Sequence, residues 1–169
     1  MVAQAICRRL GARDAALYQA LRMEGFRRET RAFRFAPEDE AAMPNDEAAA
    51  RLERDYVVGA YDENRLIGIG GLSCFTGAKT GHRALLYGMY VDADYRGAGA
   101  ADAIMRALLD EARARVEIVV LTVVSENARA LRFYTRWGFR PYGVDKCAAK
   151  IAEGNYLDET LMALDLRAM

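Results

Sequence analysis

The segment from Val91 to Ala101 limits the fold of this chain more than any other part of the sequence. It follows an apolar, strand-like run, Ala84 to Val91, and continues as Asp-Ala-Asp-Tyr-Arg-Gly-Ala-Gly-Ala-Ala into a helical pattern that extends to about Arg115. Small residues between a strand and a helix bring free backbone N–H groups together at the positive end of the helix, where an anion can bind. A tight turn that binds nothing can have the same composition, so both interpretations stay open.

The remaining pattern alternates between strands and helices. Strands are predicted over residues 3–9, 56–61, 66–75, 84–91, 116–124, 139–150 and 156–166, and helices over 15–24, 44–54 and 127–137 besides the one that ends near 115. The run 116–124 is almost continuously apolar, as expected of a strand buried on both faces. Gly88 interrupts its strand and indicates a bulge. Residues 26–43 look irregular or partly helical. Without repeats or linkers, one mixed α/β domain over residues 1–169 is predicted.

Charge and cysteine content argue against several classes of protein. The 24 basic residues balance 24 acidic ones, so no overall field favours nucleic acid or a membrane surface. Cys7, Cys74 and Cys147 are widely separated and lack a CxxC pair or a histidine cluster, which argues against disulfides and a metal site. The first residues form too short an apolar run for a signal peptide, and no stretch is long enough to span a membrane. A cytoplasmic protein without a metal, a nucleic-acid partner or a membrane partner is expected.

Two common nucleotide-binding motifs fit the small-residue loop poorly. The run from Gly97 to Asp102 lacks the third small residue of a dinucleotide-binding fingerprint and places an acid there. No GK[ST] sequence is present for a phosphate-binding P-loop.

A second segment, from Val124 to Phe139, changes the interpretation of the first. Together the two segments resemble the GNAT superfamily of N-acetyltransferases. The first is similar to the acyl-CoA motif R/Q-x-x-G-x-G/A at Arg96, Gly99 and Ala101. The second is similar to the signature N-x-x-A-x-x-x-Y-x-x-x-G-F at Asn127, Ala130, Tyr134, Gly138 and Phe139. The order of the predicted elements fits the fold of that superfamily over nearly the full length.

The resemblance implies a fold, a cosubstrate and a binding site. The fold would be α/β of the GNAT type, with a mixed, mostly antiparallel sheet of about six to seven strands flanked by about four helices. The cosubstrate would be acetyl-CoA, without a metal. Backbone amides of the loop would hold the pyrophosphate, the strand before it would pair with the pantetheine arm, and the second segment would contact that arm. These residues are Met89, Tyr90, Val91, Arg96, Gly97, Ala98, Gly99, Ala100, Ala101 and Asn127.

The resemblance also implies a catalytic role for Tyr134. Its phenol would donate a proton to the departing thiolate as an amine attacks the acetyl group directly in a ternary complex. From the residues alone, Tyr134 is better explained as a core aromatic, because it shares an apolar helix face with Ala130, Phe133 and Trp137.

The general base is harder to identify. Many members of the superfamily place a glutamate on the strand before the loop, but residues 85–91 contain no carboxylate. Glu24, on the predicted inner face of the first helix, is the candidate base, with a partly solvated helix-end residue as the alternative. A water chain or an amine that arrives neutral needs no strong base. His82 lies in a glycine-flanked turn and is expected to be exposed.

The acceptor is expected to be a primary amine of a small molecule or peptide. The arginines between Arg27 and Arg34 either bind an acidic acceptor or form a solvated face balanced by the acids at 38–40. Two rival functions are a noncatalytic acyl-CoA-binding sensor, suggested by the missing strand carboxylate, and an acetyltransferase for RNA-bound aminoacyl groups. The sequence leaves open whether two chains form a homodimer.

Overall fold

The computed structural model describes residues 5–168, which form seven strands and five α-helices. In chain order the elements are β1 (Ile6–Arg9), α1 (Ala15–Arg28), α2 (Pro37–Ala41), α3 (Asn45–Arg54), β2 (Tyr56–Asp62), β3 (Arg65–Cys74), β4 (Arg83–Val91), α4 (Ala100–Arg115), β5 (Ile118–Val124), α5 (Ala128–Arg136), β6 (Arg140–Ala152) and β7 (Asn155–Asp165). The predicted α/β class is confirmed. Residues 3 and 4 of the predicted first strand lie outside the described residues.

The seven strands form one sheet in the order β1-β2-β3-β4-β5-β7-β6. Neighbouring strands are antiparallel except β4 and β5, which run parallel. That parallel pairing is short, because only residues 83–85 of β4 face residues 118–120 of β5. Beyond this point the two strands diverge and leave an opening in the middle of the sheet.

A bulge in β4 lies beside this opening, as the glycine predicted. Tyr87 pairs with Gly71 and Tyr90 with Ile69, so three steps along β4 correspond to two along β3. Gly88 has a φ of +64°, a conformation that residues with a side chain rarely adopt. The bulge changes which face each side chain of β4 points to, and it turns the end of the strand away from β5.

The two faces of the sheet are covered by different helices. α4 packs on one face through side chains that are fully buried: Ile104, Met105, Leu108, Leu109 and Ala112. Each large one contributes about 1.5–3 kcal/mol through burial, as an upper estimate. α1 and α3 cover the other face, where Tyr18, Leu21 and Leu52 pack against Ile69 and Tyr90. The opening between β4 and β5 therefore connects two separately covered faces.

Helix α1 extends four residues beyond its predicted end. Gly25 and Phe26 are both buried, so the inner face of the helix continues past Glu24. A Cβ atom on Gly25 would lie 3.1 Å from the Tyr90 ring, and the absence of a side chain allows α1 to approach β4 closely. The segment that follows contains the short α2, which agrees with its partly helical prediction. Within residues 5–168, no helix has the length and apolarity needed to cross a membrane.

Candidate active site

A cleft of about 810 Å³ passes through the opening between β4 and β5. Its lining comes from the end of β4, the loop before α4, the end of β5, α5, β7 and the segment between α1 and α3. The two segments singled out in the sequence therefore meet at one cavity. Because the cleft reaches both faces of the sheet, different ligands can enter from opposite sides.

The small-residue loop has the backbone conformation that its glycines allow. Gly97 and Gly99 have φ values of +81° and +84°, and Gly99 is the N-cap of α4. The first hydrogen bond at this end of the helix runs from the Ala103 N–H to the Gly99 carbonyl, at 2.9 Å. The preceding N–H groups of the first turn have no acceptor within the helix. A Cβ built on either glycine meets no atom within 4 Å, so the space in front of these amides is open to an anion.

Arg96 anchors the start of this loop. Its Nε donates to the Val91 carbonyl at 3.1 Å, and its Nη2 lies 2.8 Å from the carboxylate of Glu29. Burial alone would raise the pKa of Glu29, but the hydrogen bonds and charges of Arg96 and Arg129 outweigh it and lower that pKa. Arg96 thus joins the end of β4 to the segment after α1.

Asp102 lies in the first turn of α4, and contacts from the end of α5 balance its negative charge. Its Oδ1 accepts hydrogen bonds from Arg136 at 2.7 Å and from the Trp137 indole at 2.9 Å. These contacts hold the start of α4 against the end of α5. An acid at this position is therefore compatible with a nearby anion.

The end of β4 forms one wall of the opening. Met89, Tyr90 and Val91 all line the cleft. On the side of β5, no described strand pairs with β4 beyond Leu85. An extended ligand can therefore lie along this edge as an added strand.

Asn127 has a structural role that the motif alone did not reveal. Its side-chain Oδ1 accepts a hydrogen bond from the Ala130 N–H at 3.1 Å and so caps the N-terminus of α5. Asn127 also lines the cleft. The cap fixes the direction of α5 and with it the position of Tyr134.

Tyr134 combines the two interpretations given to it from the sequence. It is 8% exposed, and its ring packs edge-on against Phe133 and Phe139. It also lines the cleft. Burial raises the pKa of its phenol above the ordinary tyrosine value, at which the hydroxyl already keeps its proton at neutral pH. The residue is a core aromatic whose hydroxyl is in the donor form.

Two of the predicted site residues do not line the cleft: Glu24 and Ala98. The carboxylate of Glu24 accepts a hydrogen bond from the Tyr90 hydroxyl at 3.3 Å and lies 3.8 Å from Arg28. Burial, with the charge and hydrogen bond of Glu24, raises the pKa of Tyr90 to about 12. The side chain of Tyr90 therefore lies between Glu24 and the cleft.

The structure reveals a carboxylate that the sequence analysis missed. Glu159 on β7 is 3% exposed, lines the cleft and lies opposite Val124 of β5. Burial raises its pKa; the Arg34 charge and a hydrogen bond from Thr122 lower it, and Asp145 raises it, with a net upward shift. The sequence contained one signal for this residue, because Glu159 shares its strand face with the apolar residues Leu157, Leu161 and Ala163.

Other buried charges of the cleft form compact local groups. Arg22 is 8% exposed and donates through Nε to Glu40 Oε2 at 3.0 Å. Asp55 is 5% exposed and accepts hydrogen bonds from the Tyr87 hydroxyl at 2.7 Å and the Ser73 hydroxyl at 3.1 Å. Neither group was predicted, because each joins residues that are distant in the sequence.

The arginines between 27 and 34 have separate environments. Arg28 pairs with Asp92 at 3.5 Å and Arg31 with Glu126 at 3.0 Å, and neither lines the cleft. Of the four, only Arg34 lines it. His82 is exposed, in agreement with its predicted place in a turn.

Comparison with protein families gives a match over most of the chain. The model of the acetyltransferase (GNAT) family matches residues 17–139, which include both motif segments. Glu159 lies outside the matched region.

One curated relative and two solved structures add to this finding. L-amino acid N-acetyltransferase AaaT of Escherichia coli (strain K12) is 34% identical over 79 residues, a match that covers 46% of this chain and 48% of that protein. The chain thus matches about half the length of this relative. The acetyltransferase of the GNAT family from Streptococcus pneumoniae superposes with a TM-score of 0.84 at 20% identity, covering 95% of this chain and 99% of that one. The structure of yncA from Salmonella typhimurium with its cofactor acetyl-CoA gives a TM-score of 0.81 at 20% identity, covering 96% and 94%. At these identities the two structures show a common fold.

Proposed function

Because this chain belongs to the acetyltransferase (GNAT) family, we propose that it transfers the acetyl group of acetyl-CoA to the primary amine of a small molecule. The observation that carries this proposal is the loop between β4 and α4. Two glycines with positive φ direct the free amides of a helix N-terminus into a cleft that also contains Tyr134. That arrangement suits a ligand with a pyrophosphate at one end and a reacting thioester at the other.

The donor side of the cleft has a residue for each part of such a ligand. The amides of residues 97–101 would bind the pyrophosphate, with Arg96 holding the loop in place. The unpaired edge of β4 at residues 89–91 would pair with the pantetheine arm. Asn127 would contact the arm from the start of α5. Acetyl-CoA supplies an activated acetyl thioester when bound.

Tyr134 would act as the general acid. Its phenol is protonated at neutral pH, as a tyrosine normally is, and burial raises its pKa further. A protonated phenol beside the thioester can supply the proton that the departing thiolate needs.

The acceptor is proposed to be a free amino acid before other small amines or peptides. The support is the name of the E. coli relative, an L-amino acid N-acetyltransferase that matches about half of its length. A carboxylate in the acceptor would also find guanidinium groups in the cleft, at Arg22 and Arg34.

The test is CoA release from acetyl-CoA with free amino acids, polyamines, aminoglycosides and short peptides. Wild type, Tyr134→Phe and a control, Tyr142→Phe, are compared; Tyr142 is 58% exposed on β6 and does not line the cleft. We expect acceptor-dependent release with one class of amine, and a loss of about 100-fold in kcat for Tyr134→Phe, without a matching loss of acetyl-CoA affinity. Saturable acetyl-CoA binding without release for any amine would instead favour an acyl-CoA sensor.

Three further properties remain proposals. A reducing, cytoplasmic location is supported by three free cysteines, Cys7, Cys74 and Cys147. A single domain over residues 1–169 is supported by the continuous sheet. The third is a homodimer, which the sequence left open and which light scattering of the purified protein tests.

A further inference from the structure

Two opposite charges lie next to each other on the acceptor side of the cleft. Arg34 Nη1 is 3.4 Å from Glu159 Oε2, and both residues line the cleft. Arg34 comes from the segment between α1 and α2, and its side chain is 47% exposed, whereas that of Glu159 is 5% exposed. The contact is long and uses one nitrogen of the guanidinium, so a ligand can replace it without unfolding a helix or strand.

The sheet places this pair on the face opposite α4. Val119, Leu121 and Val123 belong to the core beneath α4, so the alternate side chains Thr122 and Val124 point to the other face. Glu159 is the cross-strand partner of Val124 and shares that direction. Tyr134 packs in the core on the side of α4. An acceptor on Glu159 and a donor held by α4 and α5 would therefore meet through the opening between β4 and β5.

Other carboxylates of the cleft have partners from different parts of the fold. Glu40 holds the buried Arg22 at 3.0 Å. Asp55 accepts hydrogen bonds from two hydroxyls and from Arg54. Glu29 is shared by Arg96 and Arg129. Glu159 is the buried carboxylate of the cleft whose cationic partner, Arg34, comes from the segment between α1 and α2.

Resting on the proposed function, we propose that the Arg34–Glu159 pair selects a free α-amino acid as the acceptor. Arg34 binds the carboxylate, and Glu159 binds the ammonium group and then accepts its proton. An α-amino acid carries its two charges on a single carbon, and the adjacent guanidinium and carboxylate present the complementary arrangement. A peptide N-terminus or a simple amine has no carboxylate beside its amine and fits only half of the pair.

The proton and bond changes balance with the groups present. The ammonium gives one proton to Glu159, and the neutral nitrogen forms the C–N bond as the C–S bond breaks. The sulfur takes the proton of Tyr134, and the second proton of the nitrogen returns to that phenol. Glu159 releases its proton to water, and the products are the N-acetylated amino acid and CoA. Arg34, Thr122 and Asp145 are the groups that face Glu159 from the neighbouring elements.

Three acceptors with the same side chain test the selection. They are L-phenylalanine, its amide and 2-phenylethylamine, chosen because Phe26, Phe33 and Phe35 line the cleft. We expect wild type to prefer the amino acid over both other compounds by about 100-fold in kcat/KM. The loss of a charge-assisted contact to the carboxylate has an effect of this size. Equal rates for the three compounds would overturn the selection while leaving the acetyltransferase function intact.

Variants assign the two roles. Arg34→Gln should bring the preference for L-phenylalanine over its amide close to 1, whereas Arg34→Lys should keep part of it. Its control is Arg113→Gln, because Arg113 is also about half-exposed and ion-paired, at 2.9 Å, on the surface of α4.

Glu159→Gln should lower kcat by at least about 100-fold for every acceptor and remove the acidic limb of the pH profile. Its control is Glu153→Gln, which changes an exposed glutamate in the β6–β7 turn.

Calorimetry of L-phenylalanine binding in the presence of CoA separates the two proposals. If no amine is acetylated but L-phenylalanine binds and Arg34→Gln weakens that binding at least 10-fold, the acetyltransferase proposal fails and the recognition by Arg34 stands. If amino acids are acetylated and Arg34→Gln keeps the wild-type preference, the selection by this pair is wrong. If Glu159→Gln keeps the wild-type kcat and pH profile, Glu159 is not the base.

Discussion

The donor and acceptor sides of the cleft are built in different ways. The donor side consists largely of backbone: the amides before α4, the unpaired edge of β4 and the capped start of α5. The acceptor side consists of side chains that are distant in sequence, and Arg34 and Glu159 are 125 residues apart. A ligand that is always the same can be held by a fixed backbone geometry, whereas a ligand that differs between relatives needs side chains that can change without altering the fold.

The largest expected effect comes from a backbone change on the donor side, Gly99→Val. Gly99 has a φ of +84°, which a β-branched residue adopts only under strain, although the space around it is open. The loop should change conformation to relieve that strain, and its amides would no longer converge. We expect acetyl-CoA affinity to fall by at least about 100-fold, roughly 2.7 kcal/mol, as measured by calorimetry.

Gly154→Val is the matched control for this change. Gly154 also has a positive φ, +70°, with nothing within 4 Å, but it lies in the β6–β7 turn. It should bear the same kind of strain and keep acetyl-CoA binding. If both variants bind acetyl-CoA as wild type does, the loop amides do not hold the cosubstrate.

The fold was predictable because its signals are local. The β4-loop-α4 segment, the apolar run of β5 and the glycine of the bulge are each contained in a short stretch, and each has one conformation that fits its composition. The end of α1 was predicted four residues too early, because Gly25 lies inside the helix and lets the Tyr90 ring approach it. Tertiary packing decided that position rather than helix propensity.

An intermediate effect is expected where the two sides are joined, at Arg96. Its guanidinium connects the Val91 carbonyl on the donor side to Glu29 in the segment that leads to Arg34. Arg96→Gln removes both charge-assisted contacts, so we expect kcat/KM to fall about 10-fold for acetyl-CoA and for the acceptor alike. Steady-state kinetics with each substrate varied in turn measures this effect.

Arg115→Gln is the control for Arg96, because Arg115 forms an ion pair with Glu111 on the surface of α4. A loss confined to acetyl-CoA would mean that the two sides act independently and that Arg96 serves the donor alone.

The acceptor side was only partly predictable for a physical reason. The sequence showed a group of arginines, but it did not show which of them reaches the cleft, because three-dimensional pairing with Asp92, Glu126 and Glu159 decides this. The candidate positions for a base were the strand before the loop and the first helix, whereas the buried carboxylate comes from β7 on the other side of β5. No spacing within a short segment encodes that contact.

A smaller effect is expected in the pH dependence. Burial raises the pKa of Glu159 above its ordinary value, so the acidic limb of kcat/KM for an amino acid should lie above the usual glutamate range. Arg34 lowers that pKa, and Arg34→Gln should therefore move the limb to higher pH. Rates measured from the acidic to the neutral range in both proteins test the direction. A limb that moves to lower pH in Arg34→Gln would contradict the assignment.

The raised pKa of Glu159 also predicts that its carboxylate lowers the stability of the folded protein at neutral pH. Since the folded-state pKa of Glu159 is raised, its favourable contribution to stability is complete below the unfolded pKa and is lost as the pH rises through the folded value. At neutral pH the buried carboxylate is a cost, so Glu159→Gln should melt at a higher temperature than wild type. Thermal unfolding at neutral and at acidic pH measures this difference, which should disappear in acid.

The smallest effect is expected for Glu24→Gln, and it decides between the two carboxylates proposed as the base. Glu24 contacts the cleft only through the Tyr90 hydroxyl, at 3.3 Å. Losing part of one long hydrogen bond should cost about 3-fold in kcat/KM by loosening the Tyr90 ring. A base would instead cost at least about 100-fold and change the pH profile. A large loss with an altered profile in Glu24→Gln, together with normal activity in Glu159→Gln, would move the base to the α1 helix and leave Arg34 without the partner that the acceptor site requires.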